Sequence, residues 1–154
     1  MRGGLVMLDR LFHVNICVRD MERSIRFYQQ LGFNKVNDFT AEDPGIGDGL
    51  GVKANKIRGV FMRLGEDPNA PVLDLVQFID PPTQGQPYST LNNVGICRIA
   101  FAVKDIERAY ADLKKMDVQF VAPLKTIDGP GGGTASFVCF KDPDGTILEL
   151  ISGL

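Results

Sequence analysis

The sequence predicts an α+β protein made of two βαβββ modules in tandem, and three observations predict it. The first is a repeat: His13 to Phe33, HVNICVRDMERSIRFYQQLGF, comes back without a gap as Arg98 to Val118, RIAFAVKDIERAYADLKKMDV. At this offset of 85 positions Val18, Asp20, Glu22 and Arg23 recur as Val103, Asp105, Glu107 and Arg108. The second is a shared ending, Leu73-Asp74-Leu75 in the first copy and Leu148-Glu149-Leu150 in the second. The third is the change of period inside each copy, from strand alternation to helical spacing. A unit this long is a duplicated half-domain and not a solenoid repeat.

In order along the chain, Met1 to Gly4 read as a loose end. From Phe12 to Val18 the residues alternate, Val14, Ile16 and Val18 on one face and His13, Asn15 and Cys17 on the other, which is the period of a strand. Asp20 can cap the helix that follows, Met21, Ile25, Tyr28 and Leu31 mark its apolar stripe, and Gly32 supplies the left-handed stop. Phe33 to Phe39 reads as a strand. Residues 40–57, with DPGIGDGLG at their centre, lack either period and read as a long loop. Strands are expected at Arg58 to Leu64 and Val72 to Phe78. In the latter, if Leu73 and Leu75 lie under the helix, Asp74 faces the side of His13.

Residues 79–94 have a linker's Pro, Gly and polar content, so module 1 spans about 11–78 and module 2 about 95–152, together one domain. Gly95 to Val103 reads as a strand with Arg98, Ala100 and Ala102 on the face away from the helix. Asp105 caps the second helix, whose stripe is Ile106, Ala109, Tyr110 and Leu113. A short strand is expected at Gln119 to Ala122, then a plain loop at Gly129 to Gly133, since that cluster lacks a lysine at phosphate-loop spacing. Thr134 to Phe140 and Thr146 to Ser152 form a hairpin around Asp142-Pro143-Asp144-Gly145, a strong turn signal.

The totals bound the partners. A chain of 154 residues with 44% hydrophobic and 23% charged residues suits an ordinary globular protein, and a net charge of −2 gives no reason to expect nucleic acid or a membrane surface. A small molecule, or a second copy of the chain as a homodimer, is the expected partner. Cys17, Cys97 and Cys139 form no CxxC pair, which argues against a disulfide framework or zinc knuckle, and a reducing cytoplasmic location is the default. Cys17 and Cys97 read as buried small hydrophobes. No stretch approaches the roughly 18 apolar residues of a membrane span.

Four positions stand out. His13, Asp74, Arg98 and Glu149 all project by period from the sheet faces opposite the helices, two from each half. Halves that each supply one nitrogen position and one carboxylate would converge on an N/O site suited to a divalent ion with open positions. Asp74 and Glu149 lie within apolar strands, where a carboxylate is costly unless paired.

The tandem layout, the HVNICVRDMERSIRFYQQLGF opening and the FKDPDGTILEL ending resemble the vicinal oxygen chelate superfamily, which includes glyoxalase I, methylmalonyl-CoA epimerase, extradiol dioxygenases, fosfomycin-modifying enzymes and bleomycin-resistance proteins. The resemblance covers almost the whole chain and implies a curled, cup-like mixed sheet with helices on its outer face. It also implies metal ligands at the positions of His13, Asp74, Arg98 and Glu149. Asp74 replaces a longer glutamate, and Arg98 stands where the pattern GHIAF would have its histidine. Arginine stays protonated and has no free lone pair, so it is not a ligand.

Two arrangements follow. His13, Asp74 and Glu149 hold one divalent ion (Zn, Ni, Mn or Fe), with Arg98 turned aside; or the centre is metal-free and the Arg98 guanidinium sits between Asp74 and Glu149. The second is favoured, because a bidentate arginine satisfies both carboxylates without an ion. The resemblance implies a small-molecule enzyme of isomerase, lyase or dioxygenase type, with Glu149, Arg98 and Asp74 as catalytic groups. The alternative is a metal-independent protein of the bleomycin-resistance type that sequesters a drug or metabolite.

Overall fold

A computed structural model describes residues 7–129 and 131–153. Met1 to Gly4 and Pro130 of the glycine-rich segment lie outside the described residues. The chain divides into two compact units, Met1–Gln84 and Gly85–Leu154, with the division inside the expected linker. Among the described residues eight strands and three helices form two four-stranded mixed sheets, one per unit. This is the α+β architecture expected from the repeat.

Unit 1 contains β1 (His13–Cys17), α1 (Met21–Gln30), β2 (Asn34–Ala41), α2 (Pro44–Leu50), β3 (Lys56–Arg63) and β4 (Val72–Asp80), with sheet order β1-β4-β3-β2. β1 runs parallel to β4, so the chain must cross over between them, and α1 is that crossover. The Asp20 carboxylate accepts a hydrogen bond from Arg23 N at 3.0 Å to open α1, and Gly32, at φ 103°, closes it. The apolar stripe then buries Met21, Ile25, Phe27 and Tyr28 against Val60, Met62 and Leu75. A Leu at such a position contributes about 2 kcal/mol through burial, and truncation to Ala costs about 3 kcal/mol. The Gln77 side-chain oxygen accepts from Met21 N at 3.0 Å, fixing the helix-facing row of β4 as Leu73, Leu75 and Gln77. Asp74 therefore lies on the opposite face.

Unit 2 repeats the plan with β5 (Ile99–Ala102), α3 (Ile106–Lys115), β6 (Lys125–Asp128), β7 (Thr134–Lys141) and β8 (Ile147–Ser152), in the order β5-β8-β7-β6. Asp105 accepts from Arg108 N at 3.0 Å, the counterpart of the first cap. In the hairpin, one oxygen of Asp142 accepts from both Asp144 N and Thr146 N at 2.9 Å, while Gly145 takes φ 96°. That turn sets the register: Lys141 opposes Ile147, and two residues further Cys139 opposes Glu149.

Three expectations need correction. The 40–57 loop holds α2, because Asp43 accepts from Gly45 N at 2.9 Å, Pro44 sits in the first turn, and Gly51 closes the helix at φ 68°. It is seated on the face of unit 1 away from α1: Ile46 packs on Ala54, Ile57 and Val76. The Gln119–Ala122 strand reduces to one bridge, Phe120 to Phe140, and pairing resumes only at Lys125; Pro123, which has no N–H to give, lies in the gap. Cys17 is exposed and not buried, since β1 is an edge strand and Cys17 is on its open face; Cys97 is half-buried, and Cys139 is the buried thiol. The glycine-rich segment closes the β6–β7 hairpin, with Gly129 N donating to Gly133 O at 2.6 Å. No helix among the described residues is long and apolar enough to cross a membrane.

Candidate functional site

In unit 1, register places Asn15, Asp74 and Phe61 in one row across β1, β4 and β3, with His13 one step along β1. His13 Nδ1 lies 3.5 Å from Asp74 Oδ2, an ion-pair distance when the imidazole is protonated and too long for a strong hydrogen bond. Asp74 Oδ1 is buried with no hydrogen-bond partner among the described residues. Burial raises the Asp74 pKa above the ordinary carboxylate value, and the Asn15 amide and His13 offset this only in part.

The surroundings are aromatic. The Phe12 and His13 rings are 5.2 Å apart, Phe61 stands edge-on to Phe12 at 5.9 Å, and Phe39 meets Phe61 at 6.0 Å. Phe39 lies over Gly59, where a β-carbon would run into its ring. Strand alternation adds Arg63 to this face, and its Nε is buried without an acceptor among the described residues.

Unit 2 presents a different arrangement at the repeated positions. Arg98, just before β5, donates from Nε to Glu149 Oε2 at 2.6 Å, and Glu149 is 5% exposed against 41% for Arg98. Cys139, directly across the hairpin, donates its thiol to the same oxygen at 3.5 Å. Its pKa is pushed up to about 11, first by burial and then by the Glu149 charge, so it stays a protonated donor. Arg98 Nη1 reaches Cys97 Sγ at 3.7 Å. Both contacts to Glu149 fall on Oε2. Oε1 and Arg98 Nη2 thus have no hydrogen-bond partner among the described residues.

Of the four expected positions, the structure brings His13 to Asp74 and Arg98 to Glu149, each pair within its own unit. Sequence reasoning overlooked Cys139, Phe61 and Arg63 as site neighbours. Cys139 was recoverable, because the Asp142–Gly145 turn fixes it opposite Glu149. Arg63 carried no signal beyond alternation.

Taken unit by unit, these donors do not suit a resident divalent ion. Among the described residues no group of three His, Cys, Asp or Glu side chains is placed to hold one. Unit 1 offers only His13 and Asp74. In unit 2 the guanidinium of Arg98 already neutralises Glu149, and the thiol beside it is held protonated. A fixed organic cation stands where a ligand would be needed.

Two units on one βαβββ plan, each with a carboxylate on the sheet face away from the helix that follows its first strand, define a duplicated α+β class. The chain belongs to the Glyoxalase/Bleomycin resistance protein/Dioxygenase superfamily, whose family model matches residues 10–150. Among solved structures it is similar to a glyoxalase family protein from Bacillus cereus, with 20% identity, a TM-score of 0.80, and 100% of this chain and 99% of that one covered. It is also similar to the trypanothione-dependent glyoxalase I of Leishmania major (24% identity, TM-score 0.65, 94% and 87% covered). A glyoxalase family protein from Enterococcus faecalis shows 25% identity, a TM-score of 0.65, and 92% and 96% coverage. No curated protein matches the chain.

Proposed function

We propose that this protein is a small-molecule enzyme that moves a proton on an oxygenated substrate, in the manner of an isomerase or lyase, around a centre where Arg98 supplies the positive charge. The observation that carries this reading is the 2.6 Å contact from Arg98 Nε to Glu149 Oε2. It commits one carboxylate oxygen to the cation and leaves Oε1 able to accept a proton from a carbon next to a carbonyl. The Nη2 group of the same guanidinium is a donor for the oxygen on which charge develops, in a setting where charge-assisted bonds are strong. Cys139 adds an uncharged donor that keeps Oε2 in place. Asp74, the catalytic carboxylate assigned to unit 1, has its pKa raised by burial, which suits it to proton exchange within that unit.

The test is deuterium exchange at carbons alpha to a carbonyl, followed by NMR over a panel of diketones, thioesters and oxo acids. Exchange that survives a chelator and is lost in Glu149→Gln supports the proposal. Tight binding with no exchange on any compound, or stoichiometric zinc, nickel, manganese or iron in the native protein, overturns it.

A further inference from the structure

Two polar atoms of unit 1 lack the partners that buried groups normally have. Asp74 on β4 stands opposite Phe61 on β3, and Arg63 follows Phe61 by two residues on the same strand. Asp74 and Arg63 therefore project from one face of the sheet as diagonal neighbours, about 7–8 Å apart at the backbone, a gap that a long side chain can close. They leave it open: Asp74 Oδ1 and Arg63 Nε are both buried, and neither has a hydrogen-bond partner among the described residues. Asp74 is only 9% exposed, and its other oxygen is the one that faces His13, at 3.5 Å. A lone buried acceptor beside a lone buried donor is costly until something supplies both missing bonds.

Complementarity decides what that something is. It must accept from the Nε–H of Arg63 and donate to Oδ1 of Asp74 within one compact group. A carboxylate has acceptors only and meets Asp74 as a like charge. An amidinium has donors only and meets the Arg63 guanidinium in the same way. A primary carboxamide or a lactam carries one acceptor and one donor side by side in a plane, with no net charge to set against either residue. The surroundings suit a flat carrier for that group. Phe61 borders the gap and is met edge-on by Phe12 at 5.9 Å and by Phe39 at 6.0 Å, and both of these rings are exposed.

We infer that Arg63 and Asp74 form a binding site for a neutral carboxamide or lactam carried on a flat ring, its carbonyl accepting from Arg63 Nε, its N–H donating to Asp74 Oδ1, and its ring lying against Phe61. The site belongs wholly to unit 1. It does not rest on Arg98 and Glu149 being the reacting pair, so an absence of alpha-proton exchange leaves it standing.

Benzamide, benzoate and benzamidine test it, since they share one ring and one shape and differ in charge. Each is titrated at pH 8 into the isotope-labelled full chain, and NMR follows the backbone amide and arginine Nε–H resonances. Benzamide is expected to bind the parent roughly tenfold more tightly than either ion, the size of one charge-assisted contact, and to move the Arg63 Nε–H resonance. Arg63→Met, which keeps the stem and removes the donor, should weaken benzamide by about the same factor and raise benzamidine to at least the affinity of benzamide. Asp74→Asn should do for benzoate what Arg63→Met does for benzamidine. Neither substitution takes a hydrogen bond away from Oδ1 or Nε, and a reversed order of affinities in a variant itself shows that the variant has folded. Benzoate or benzamidine matching benzamide on the parent, an Arg63 Nε–H signal that stays in place, an order of affinities that either variant leaves unchanged, or no binding of benzamide overturns the inference.

Discussion

Removing the guanidinium while keeping its stem, as in Arg98→Met, tests the electrostatic core of unit 2. Stranding a fully buried charge costs about 3–5 kcal/mol. An exposed pair is worth under about 1 kcal/mol. Glu149 at 5% exposed is at the buried limit, whereas Arg98 at 41% exposed is reached by water, so the cost falls between, about 2 kcal/mol at neutral pH. For a chain of this size that is a fall of roughly 4–8 °C in melting temperature. Urea unfolding at pH 7.5 should show that deficit, with Arg98→Lys intermediate between the variant and the parent. A variant as stable as the parent, or Arg98→Lys as unstable as Arg98→Met, would refute the reasoning.

Other outcomes follow from the same geometry. Arg98→His sets an imidazole beside Glu149 and Cys139, a nitrogen, oxygen and sulfur donor set; elemental analysis should find zinc or nickel in this variant above the parent level. Because burial raises the Asp74 pKa, the folded chain loses stability as pH rises from the unfolded carboxylate value through the folded one. In Asp74→Asn that slope should flatten, with a gain on the order of 1 kcal/mol at neutral pH seen in the urea midpoint. Thiol labelling at pH 8 should modify exposed Cys17 first and Cys139 only on unfolding, since the latter is buried with a pKa of about 11; Glu149→Gln should lower that pKa by removing a negative neighbour. At Gly47 a β-carbon would meet Val52 O at 2.6 Å and Ala54 N at 2.8 Å, backbone atoms with little room to yield. Gly47→Ala should therefore unseat α2, and hydrogen exchange over residues 44–54 should rise while β3 and β4 stay protected.

What could be read from the sequence tracked how local the determining physics is. The caps at Asp20 and Asp105, the stop at Gly32 and the Asp142–Gly145 turn each act within a few residues, and each was legible. The faces of Asp74 and Glu149 were legible too, because alternation about an apolar row is a two-residue rule. α2 was hidden by its composition: glycine argues against a helix, and the Asp43-Pro44 start, the Gly51 stop and the Ile46 contact hold this one together. The displacement of β6 depended on the lost hydrogen bond at Pro123, whose effect appears only once Phe120 is paired with Phe140. Pairing of Arg98 with Glu149 was anticipated as one half of a bridge to both Glu149 and Asp74; the contact seen is to Glu149. That Cys139 would share the same oxygen required the hairpin register.

The duplication also isolates what residue identity does on a fixed backbone. β4 and β8 hold a carboxylate at the same place in the same sheet order, each beside a strand that runs parallel to it. In unit 2 an arginine precedes that neighbouring strand, and the carboxylate is ion-paired at 2.6 Å. In unit 1 a histidine opens it, the separation is 3.5 Å, one carboxylate oxygen has no partner among the described residues, and burial raises the pKa of the group. The same backbone thus gives its two carboxyl groups different surroundings, one ion-paired and one held mainly by burial. A repeat kept only for packing has no need of either buried acid, since a leucine would fill each strand position at lower cost.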